Sequence, residues 1–265
     1  VTREKEVVRV ETPIGLALTK VSAREALSFA APSDKQELLE AAAIEPEGKR
    51  PYRGAPRMVI RVSQGDSAAA LPEDAGQIRL DNGRYEVVRG NLPEDSELSR
   101  PFSEAFREYL VGDPFIQADH AVIQAKAAEI VKGESAPSAK VRRLFDWVHE
   151  NIHKEPMLSL PSALEVLRTR RGDCNEHAVL FTALARAADI PTRVALGVVW
   201  SEEHEGFYYH AWPEVYLGQW VATDPTLGQE LADATHVKLL TGSIDKWPEL
   251  LAYLGRLRIE VLEVS

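Results

Sequence analysis

The most constraining feature of the sequence is a run of apolar helix formers, residues 178–188, that closely follows Asp173, Cys174 and Glu176. An aspartate followed three positions later by a glutamate is the signature of a capping box, in which each side chain accepts a backbone N–H at the start of a helix. Cys174 is then the first helical residue. Because the run that follows is apolar, we expect this helix to pack against another element of the core.

Composition sets the class of protein. The chain has 265 residues, of which 45% are hydrophobic and 27% are charged, as is typical of a globular protein with a packed core. Its net charge of −10 opposes binding to phosphate backbones or anionic lipid, so no nucleic-acid partner is expected. The single cysteine excludes an intrachain disulfide and a zinc finger of paired cysteines. No apolar run is long enough to span a membrane, which predicts a soluble chain.

The sequence leaves the compartment open. The chain begins Val1-Thr2-Arg3-Glu4, with neither a methionine nor an apolar leader. We therefore expect a processed or excised piece of a longer polypeptide. Removal of a leader would place the protein outside the cytoplasm, in a bacterial periplasm, and a chain with one cysteine is viable in either compartment.

Residue types are unevenly distributed and indicate two parts. All five Trp, all seven His and the cysteine follow residue 100. Short alternating runs before it predict strands, and Asn82-Gly83 between two of them predicts a hairpin. A stretch rich in Pro, Ser and acidic residues, Asn91–Pro101, predicts a linker. We expect a mainly β region of unassigned role over residues 1–100 and a second region over residues 101–265.

Cys174 occupies a position where a thiol can be activated. The thiolate is the nucleophile, and a helix N-terminus supplies partial positive charge and free N–H groups that lower the pKa of a cysteine. We therefore expect a lowered pKa for Cys174. The backbone N–H of Cys174 or of Asn175 could hold the oxyanion of a tetrahedral intermediate. The competing interpretation is a buried and inert thiol, which is the commoner state of a free cysteine.

His210 is the candidate base for this thiol. It lies in an aromatic-rich run that predicts a strand, and a turn at Leu217-Gly218-Gln219 follows. A three-residue loop pairs Tyr216 with Trp220 and makes His210 and Asp224 diagonal neighbours on one face. A two-residue loop would put them on opposite faces. In the first register Asp224 fixes the imidazole tautomer, and the other ring nitrogen deprotonates the thiol.

Four separate blocks of motifs occur in order over about residues 136–230. They are Gly172-Asp173-Cys174, Ile190-Pro191-Thr192-Arg193, His210-Ala211-Trp212 with Glu214-Val215-Tyr216, and Trp220 with Asp224-Pro225. This order resembles the transglutaminase-like superfamily of papain-fold cysteine enzymes, and its bacterial members in particular, because Asn175 stands where animal transglutaminases have Trp. The resemblance implies an α+β fold, in which a Cys-bearing helix packs on an antiparallel sheet. It also implies a catalytic domain over residues 101–265, with a triad of Cys174, His210 and Asp224.

The leading hypothesis is an enzyme that transfers an acyl group from an amide or peptide bond through a thioester. Its substrate would be a protein or peptide, and it would need no cofactor and no metal. Water is the default acceptor, which favours hydrolysis over transamidation. His177, Tyr208 and Trp212 are candidate substrate-binding residues, because His177 shares a helix face with Cys174 and the other two flank His210 on its strand face. Core packing is the alternative for all three.

Two other hypotheses compete with this one. The first is a catalytically silent peptide-binding module of the same fold, against which the presence of all three triad residues argues. The second is a zinc site formed by Cys174, His177, His210 and Asp224, whose spacing matches no common zinc pattern. The sequence makes no prediction of the oligomeric state.

Overall fold

The computed structural model describes most of the chain in several segments. They are residues 9–11, 17–19, 43–92, 104–155, 162–242, 247–250 and 252–265. Most of the predicted linker, Asn91–Pro101, lies outside these residues. Helices and mainly antiparallel sheets together form an α+β fold, which confirms the predicted fold class.

The helices of the described segments lie after residue 100. They are α1 (Ala121–Ile130), α2 (Pro137–Asn151), α3 (Ala163–Thr169), α4 (Cys174–Ala187) and the short α5 (Trp247–Leu250), with a 3₁₀ helix at Glu104–Tyr109. Helix α4 is central, since α1, α2 and α3 all pack against it. Its residues from Glu176 to Arg186 are buried. None of the helices in these segments is long and apolar enough to cross a membrane.

The strands of the described segments form four sheets. In chain order they are β1 (Arg9–Glu11), β2 (Ala17–Thr19), β3 (Glu47–Gly48), β4 (Arg57–Gln64), β5 (Ser67–Ala68), β6 (Gln77–Asp81), β7 (Arg84–Val88), β8 (His153–Lys154), β9 (Arg171–Gly172), β10 (Thr192–Ser201), β11 (Gly206–Tyr216), β12 (Trp220–Ala222), β13 (Val237–Gly242) and β14 (Leu257–Val264). A four-stranded sheet has the order β12-β11-β10-β13, and a six-stranded sheet has the order β3-β14-β4-β7-β6 with β5 beside β4. The remaining two sheets are the pairs β1-β2 and β8-β9.

Helix α4 packs on strands β10 and β11 of the four-stranded sheet, which is antiparallel throughout. Phe181 and Leu184 on the helix and Val194 and Val215 on the strands are fully buried. Burial of each such side chain contributes about 2 kcal/mol to the free energy of unfolding. The predicted arrangement of a cysteine-bearing helix on an antiparallel sheet is therefore confirmed.

The six-stranded sheet combines strands from both ends of the chain. Strands β3 to β7 come from the N-terminal region, and β14, close to the C-terminus, lies between β3 and β4. The predicted hairpin is confirmed, because β6 and β7 are antiparallel and joined at Asn82-Gly83. Because β14 comes from the C-terminal part of the chain and the other strands of this sheet do not, the sheet does not separate the two predicted regions. The division of the chain at residue 100 stays a prediction.

A buried charge network joins the two larger sheets. Lys238 on β13 donates to Asp74, which precedes β6, and to Glu214 on β11. Arg193 on β10 donates to the same two carboxylates, at 2.6 and 2.7 Å. Burial alone would raise the pKa of Asp74, but the charges of Lys238 and Arg193 outweigh it and hold that pKa below its ordinary value. The four charges balance, so loss of one partner would leave an uncompensated net charge in this largely buried cluster.

Gly197 on β10 allows the layers around His210 to approach closely. It pairs with His210 on β11 and with Lys238 on β13, next to a bulge in the β10–β13 ladder. A Cβ at this position would lie 2.1 Å from the Val237 carbonyl oxygen and 2.8 Å from the Trp212 ring. A side chain here would therefore push β13 away from β10, at the position where β10 pairs with His210.

We expect Gly197→Ala to destabilise the fold, because the added methyl group meets backbone that cannot move aside. The free energy of unfolding should fall by about 2 kcal/mol, which lowers Tm by roughly 6 °C. Thermal unfolding followed by circular dichroism measures the change. Gly76→Ala is the matched control, since its Cβ would meet its nearest neighbour at 3.5 Å, an ordinary contact. Equal Tm values for the two variants would contradict this explanation.

Candidate active site

The start of helix α4 is held by the predicted capping box. Asp173 accepts the N–H of Cys174 at 2.8 Å, and Glu176 accepts the N–H of Asp173 at 2.9 Å. Gly172 makes room for this exchange, because a Cβ there would lie 2.1 Å from the Cβ of Glu176. The prediction that Cys174 is the first helical residue is confirmed.

The thiol of Cys174 lies deep against strand β11, although the residue keeps some exposed surface. The backbone N–H of Ala211, the residue after His210, donates to the sulfur, and the thiol faces Asn175 Oδ1 at 3.7 Å. Burial raises the pKa of the thiol far above its ordinary value, and the Asp173 carboxylate raises it further. The predicted lowering is therefore wrong, because burial outweighs the partial charge of the helix N-terminus. A thiolate at this position needs a cation beside it.

Of the two amides predicted to hold an oxyanion, one is already engaged. The Asp173 side chain accepts a hydrogen bond from the N–H of Cys174 and, in the capping box, also from the N–H of Glu176. The N–H of Asn175 lies between them in the first helical turn and is not used by the cap. Asn175 is therefore the stronger of the two candidates, and the oxyanion role of either amide stays a prediction.

Strand pairing brings His210 to Asp224. Tyr216 pairs with Trp220, as the three-residue loop predicts. Strand β12 ends at Ala222, and the Oδ2 atom of Asp224, in the turn that follows, lies 2.7 Å from His210 Nε2. Both side chains are buried. Because Nε2 donates to Asp224, Nδ1 is the ring nitrogen that can take a proton from the thiol.

The Asp224 carboxylate accepts four hydrogen bonds. Its Oδ2 accepts from His210 and, at 3.0 Å, from His236 Nε2. Its Oδ1 accepts the backbone N–H groups of Thr226 and Leu227 at 2.9 and 3.1 Å. Burial alone would raise the pKa of Asp224, but the two histidines outweigh it and hold that pKa well below its ordinary value. The carboxylate is therefore ionised at neutral pH.

His236 is a site residue that the sequence reasoning missed. Its Nε2 donates to Asp224, and its Nδ1 faces Asp233, with the backbone oxygen at 3.1 Å and Oδ1 at 3.4 Å. Burial alone would lower the pKa of His236, but the two aspartates raise it to about 9, so the ring is an imidazolium at neutral pH. The sequence signal that could have found it is Asp233, three positions before His236 and directly ahead of strand β13.

The structure does not assemble the predicted zinc set. Among the described residues, His210, Asp224 and His236 bring metal-ligand atoms within 4.8 Å of one another, and neither Cys174 nor His177 belongs to this group. Two imidazole N–H groups that donate to one carboxylate oxygen account for the short distances.

The three candidate substrate-binding residues differ in accessibility. His177 and Trp212 are each 1% exposed. His177 lies 2.7 Å from the Asp173 carbonyl oxygen, and burial lowers its pKa. Trp212 stacks on the His210 ring, with centroids 6.1 Å apart. Tyr208 is the one of the three that is only partly buried. Their role in substrate binding stays a prediction, and for His177 and Trp212 the structure shows packing contacts.

A cysteine-bearing helix packed on an antiparallel sheet, with a histidine on the adjoining strand, defines the papain-like class of fold. Residues 124–225 match the family model of the transglutaminase-like superfamily, and this segment contains Cys174, His210 and Asp224. The match covers less than half of the chain, and over this segment the chain is similar to members of that superfamily.

Three individual proteins are also similar to parts of this chain. A candidate cysteine protease from Cytophaga hutchinsonii has a similar fold, with a TM-score of 0.52 and 20% identity, covering 77% of this chain and 84% of that one. The periplasmic domain of TgpA from Pseudomonas aeruginosa gives a TM-score of 0.43 at 18% identity, covering 69% and 75% of the two chains. Kyphoscoliosis peptidase of Mus musculus is 28% identical over 114 residues, which are 37% of this chain. The chain covers only 17% of the length of that relative.

The protonated His236 links the stability of the fold to pH. Its folded pKa of about 9 lies above the ordinary value of 6.5, so between these values the folded state holds a proton that the unfolded chain releases. The free energy of unfolding should therefore fall as the pH rises through this window, by about 3 kcal/mol from this group. Thermal unfolding in a series of buffers measures the fall.

The control for this prediction is His236→Gln, which cannot take up a proton. We expect its stability to be lower at pH 6.5 and to change less between pH 6.5 and pH 9 than that of the unmodified chain. Parallel curves for the two proteins would contradict the link to His236.

Proposed function

We propose that the chain is a cysteine-dependent enzyme that cleaves amide or peptide bonds of protein or peptide substrates through a thioester on Cys174. The observation that carries this proposal is the buried hydrogen bond of 2.7 Å between His210 Nε2 and Asp224 Oδ2, next to the strand position that contacts the thiol. A buried carboxylate that orients an imidazole near a thiol supplies the three roles of nucleophile, base and orienting group. The superfamily match supports the same chemistry.

The first step is transfer of the thiol proton to His210. The raised pKa of Cys174 makes an isolated thiolate unfavourable, so charge separation requires that the proton moves to Nδ1 and stays nearby as an imidazolium. Asp224 holds Nε2 and stabilises the positive charge on the ring. In the resting state the thiol is neutral.

The sulfur then attacks the substrate carbonyl carbon, and a C–S bond forms as the carbonyl π electrons move to oxygen. In this proposal the N–H of Asn175 stabilises the oxyanion. When the oxyanion collapses, the C–N bond breaks, and His210 gives its proton to the leaving amine. The product of this half-reaction is a thioester on Cys174 and a free amine.

Water completes the reaction. His210, now neutral, takes a proton from a water molecule that attacks the thioester, and the C–S bond breaks to release an acid and return the thiol proton. A primary amine in place of water would give transamidation with the same residues. We propose hydrolysis, because water is present at every site that a second substrate could reach.

A catalytically silent module of the same fold is the second candidate. The observation that favours it is the thiol itself, which is surrounded by protein and lies near the carboxylates of Asp173, Glu176 and Asp224. A cysteine in such surroundings is inert unless an imidazolium compensates the burial and the nearby negative charges. The two candidates therefore differ in whether His210 activates Cys174.

Alkylation by iodoacetamide at pH 6 separates the two candidates. With His210 as the proton acceptor, Cys174 should react at least about 10-fold faster than a free thiol at this pH. In His210→Ala it should react more slowly than a free thiol, because burial then raises its pKa without compensation. His204→Gln, in the exposed turn before β11, is the matched control and should react like the unmodified chain. Equal rates in the chain and in His210→Ala would favour the silent module.

A peptide library incubated with a labelled primary amine tests the reaction itself. Mass spectrometry follows both cleavage and amine incorporation, and we expect cleavage to dominate. Cys174→Ala should lower product formation at least about 1,000-fold. As a control, Cys174 of the unmodified chain is alkylated beforehand, which blocks the thiol without changing the sequence. If cleavage persists in Cys174→Ala, the nucleophile has been assigned to the wrong residue.

A further inference from the structure

We propose that His236 is a positioning residue for Asp224, and that Asp233 and a loop of the N-terminal region hold it in place. This inference deepens the proposed function and rests on it. It concerns the orientation and charge of the groups behind His210, and not the atoms that react.

The geometry around Asp224 carries the proposal. Two imidazoles, of His210 and His236, donate to the same oxygen, Oδ2, at 2.7 and 3.0 Å. Their ring centroids lie 5.9 Å apart, and the indole of Trp212 packs against both rings, at 6.1 and 5.1 Å. All four side chains are buried. Asp224 therefore cannot rotate toward or away from His210 without breaking its bond to His236.

Asp233 fixes the other side of the His236 ring. Its Oδ1 accepts the N–H and the hydroxyl of Thr235 at 2.9 and 2.6 Å, and lies 3.4 Å from His236 Nδ1. Its Oδ2 accepts from Gln229 Nε2 at 2.8 Å and from the Gly54 N–H at 2.7 Å. A continuous line of polar contacts thus connects Gly54 in the N-terminal region to the imidazole of His210.

The loop that carries Gly54 is anchored at several points on the catalytic part of the chain. The Arg53 side chain donates to the Leu227 carbonyl oxygen, in the turn that also binds Asp224. The Arg53 N–H donates to Glu202 at 2.9 Å, and the Ala55 carbonyl oxygen accepts the N–H of Ala234 at 2.9 Å. The N-terminal region, whose role the sequence left open, thereby supports the candidate active site directly.

The charge on His236 acts on His210 through their shared carboxylate. A positive His236 compensates part of the negative charge of Asp224, and so makes a second positive charge on His210 less favourable. The charged and titratable groups that face His236 or line the cavity beside it are Asp224, Asp233, His210, Asp74, Glu214 and Lys238.

Two variants separate the hydrogen bond of His236 from its charge. His236→Gln keeps an N–H donor and removes the charge, so the maximal rate of iodoacetamide alkylation should stay within about threefold, while the acid limb of the pH–rate profile moves up by about one pH unit. His236→Phe removes the donor as well, so the maximal rate should fall by about 10- to 100-fold. His204→Gln is the control and should leave the profile unchanged.

A merely structural role would give a different result. In that case both variants would lose reactivity in proportion to the fraction unfolded, which thermal unfolding measures, and the acid limb of the profile would not move. That result overturns the proposal, as would a profile of His236→Phe that superimposes on that of the unmodified chain.

Nuclear magnetic resonance of histidine-labelled protein tests the inference without any reaction. We expect two N–H resonances for His236 at neutral pH, and a shift of the His210 Nε2–H resonance in His236→Gln but not in His204→Gln. If the shift is present while Cys174 reacts no faster than a free thiol, the proposed function fails and the positioning role stands. If the His210 resonance is unchanged, the positioning role fails, whatever the reactivity of the thiol.

Discussion

The carboxylate of Asp224 organises the region that joins the sheet to the candidate active site. An ionised carboxylate is unfavourable inside a protein unless donors surround it. Here the donors come from three directions, with His210 on β11, His236 ahead of β13, and the amides of Thr226 and Leu227 in the turn after β12. The end of the four-stranded sheet is therefore shaped by the need to satisfy one buried charge.

Short-range signals in the sequence predicted the local geometry of the site well. Asp173 and Glu176 cap the helix of Cys174 as their spacing indicates, and the loop length before Trp220 set the register that brings His210 toward Asp224. These features depend on residues a few positions apart. The fold class could be predicted because four blocks of motif residues follow one another in an order that resembles a known superfamily.

Long-range packing decided what the sequence could not show. The pKa of Cys174 depends on how deeply strand β11 and the nearby carboxylates enclose the sulfur, and a motif carries no information on that depth. His236 is separated from Asp224 by a loop without regular structure, so no periodicity placed it at the site. For the same reason the contact between Gly54 and Asp233, 179 positions apart, was invisible before the fold was known.

The position of strand β14 has a consequence for how the chain acquires its structure. Strand β4 needs β14 on one side and β7 on the other, yet 192 residues separate the end of β4 from the start of β14. During synthesis one edge of β4 stays without its partner strand until residues 257–264 have left the ribosome. Contacts this distant in sequence form slowly. The nascent chain is thus exposed to edge-to-edge aggregation while the 192 residues between the two strands are made, and the sheet closes only after them.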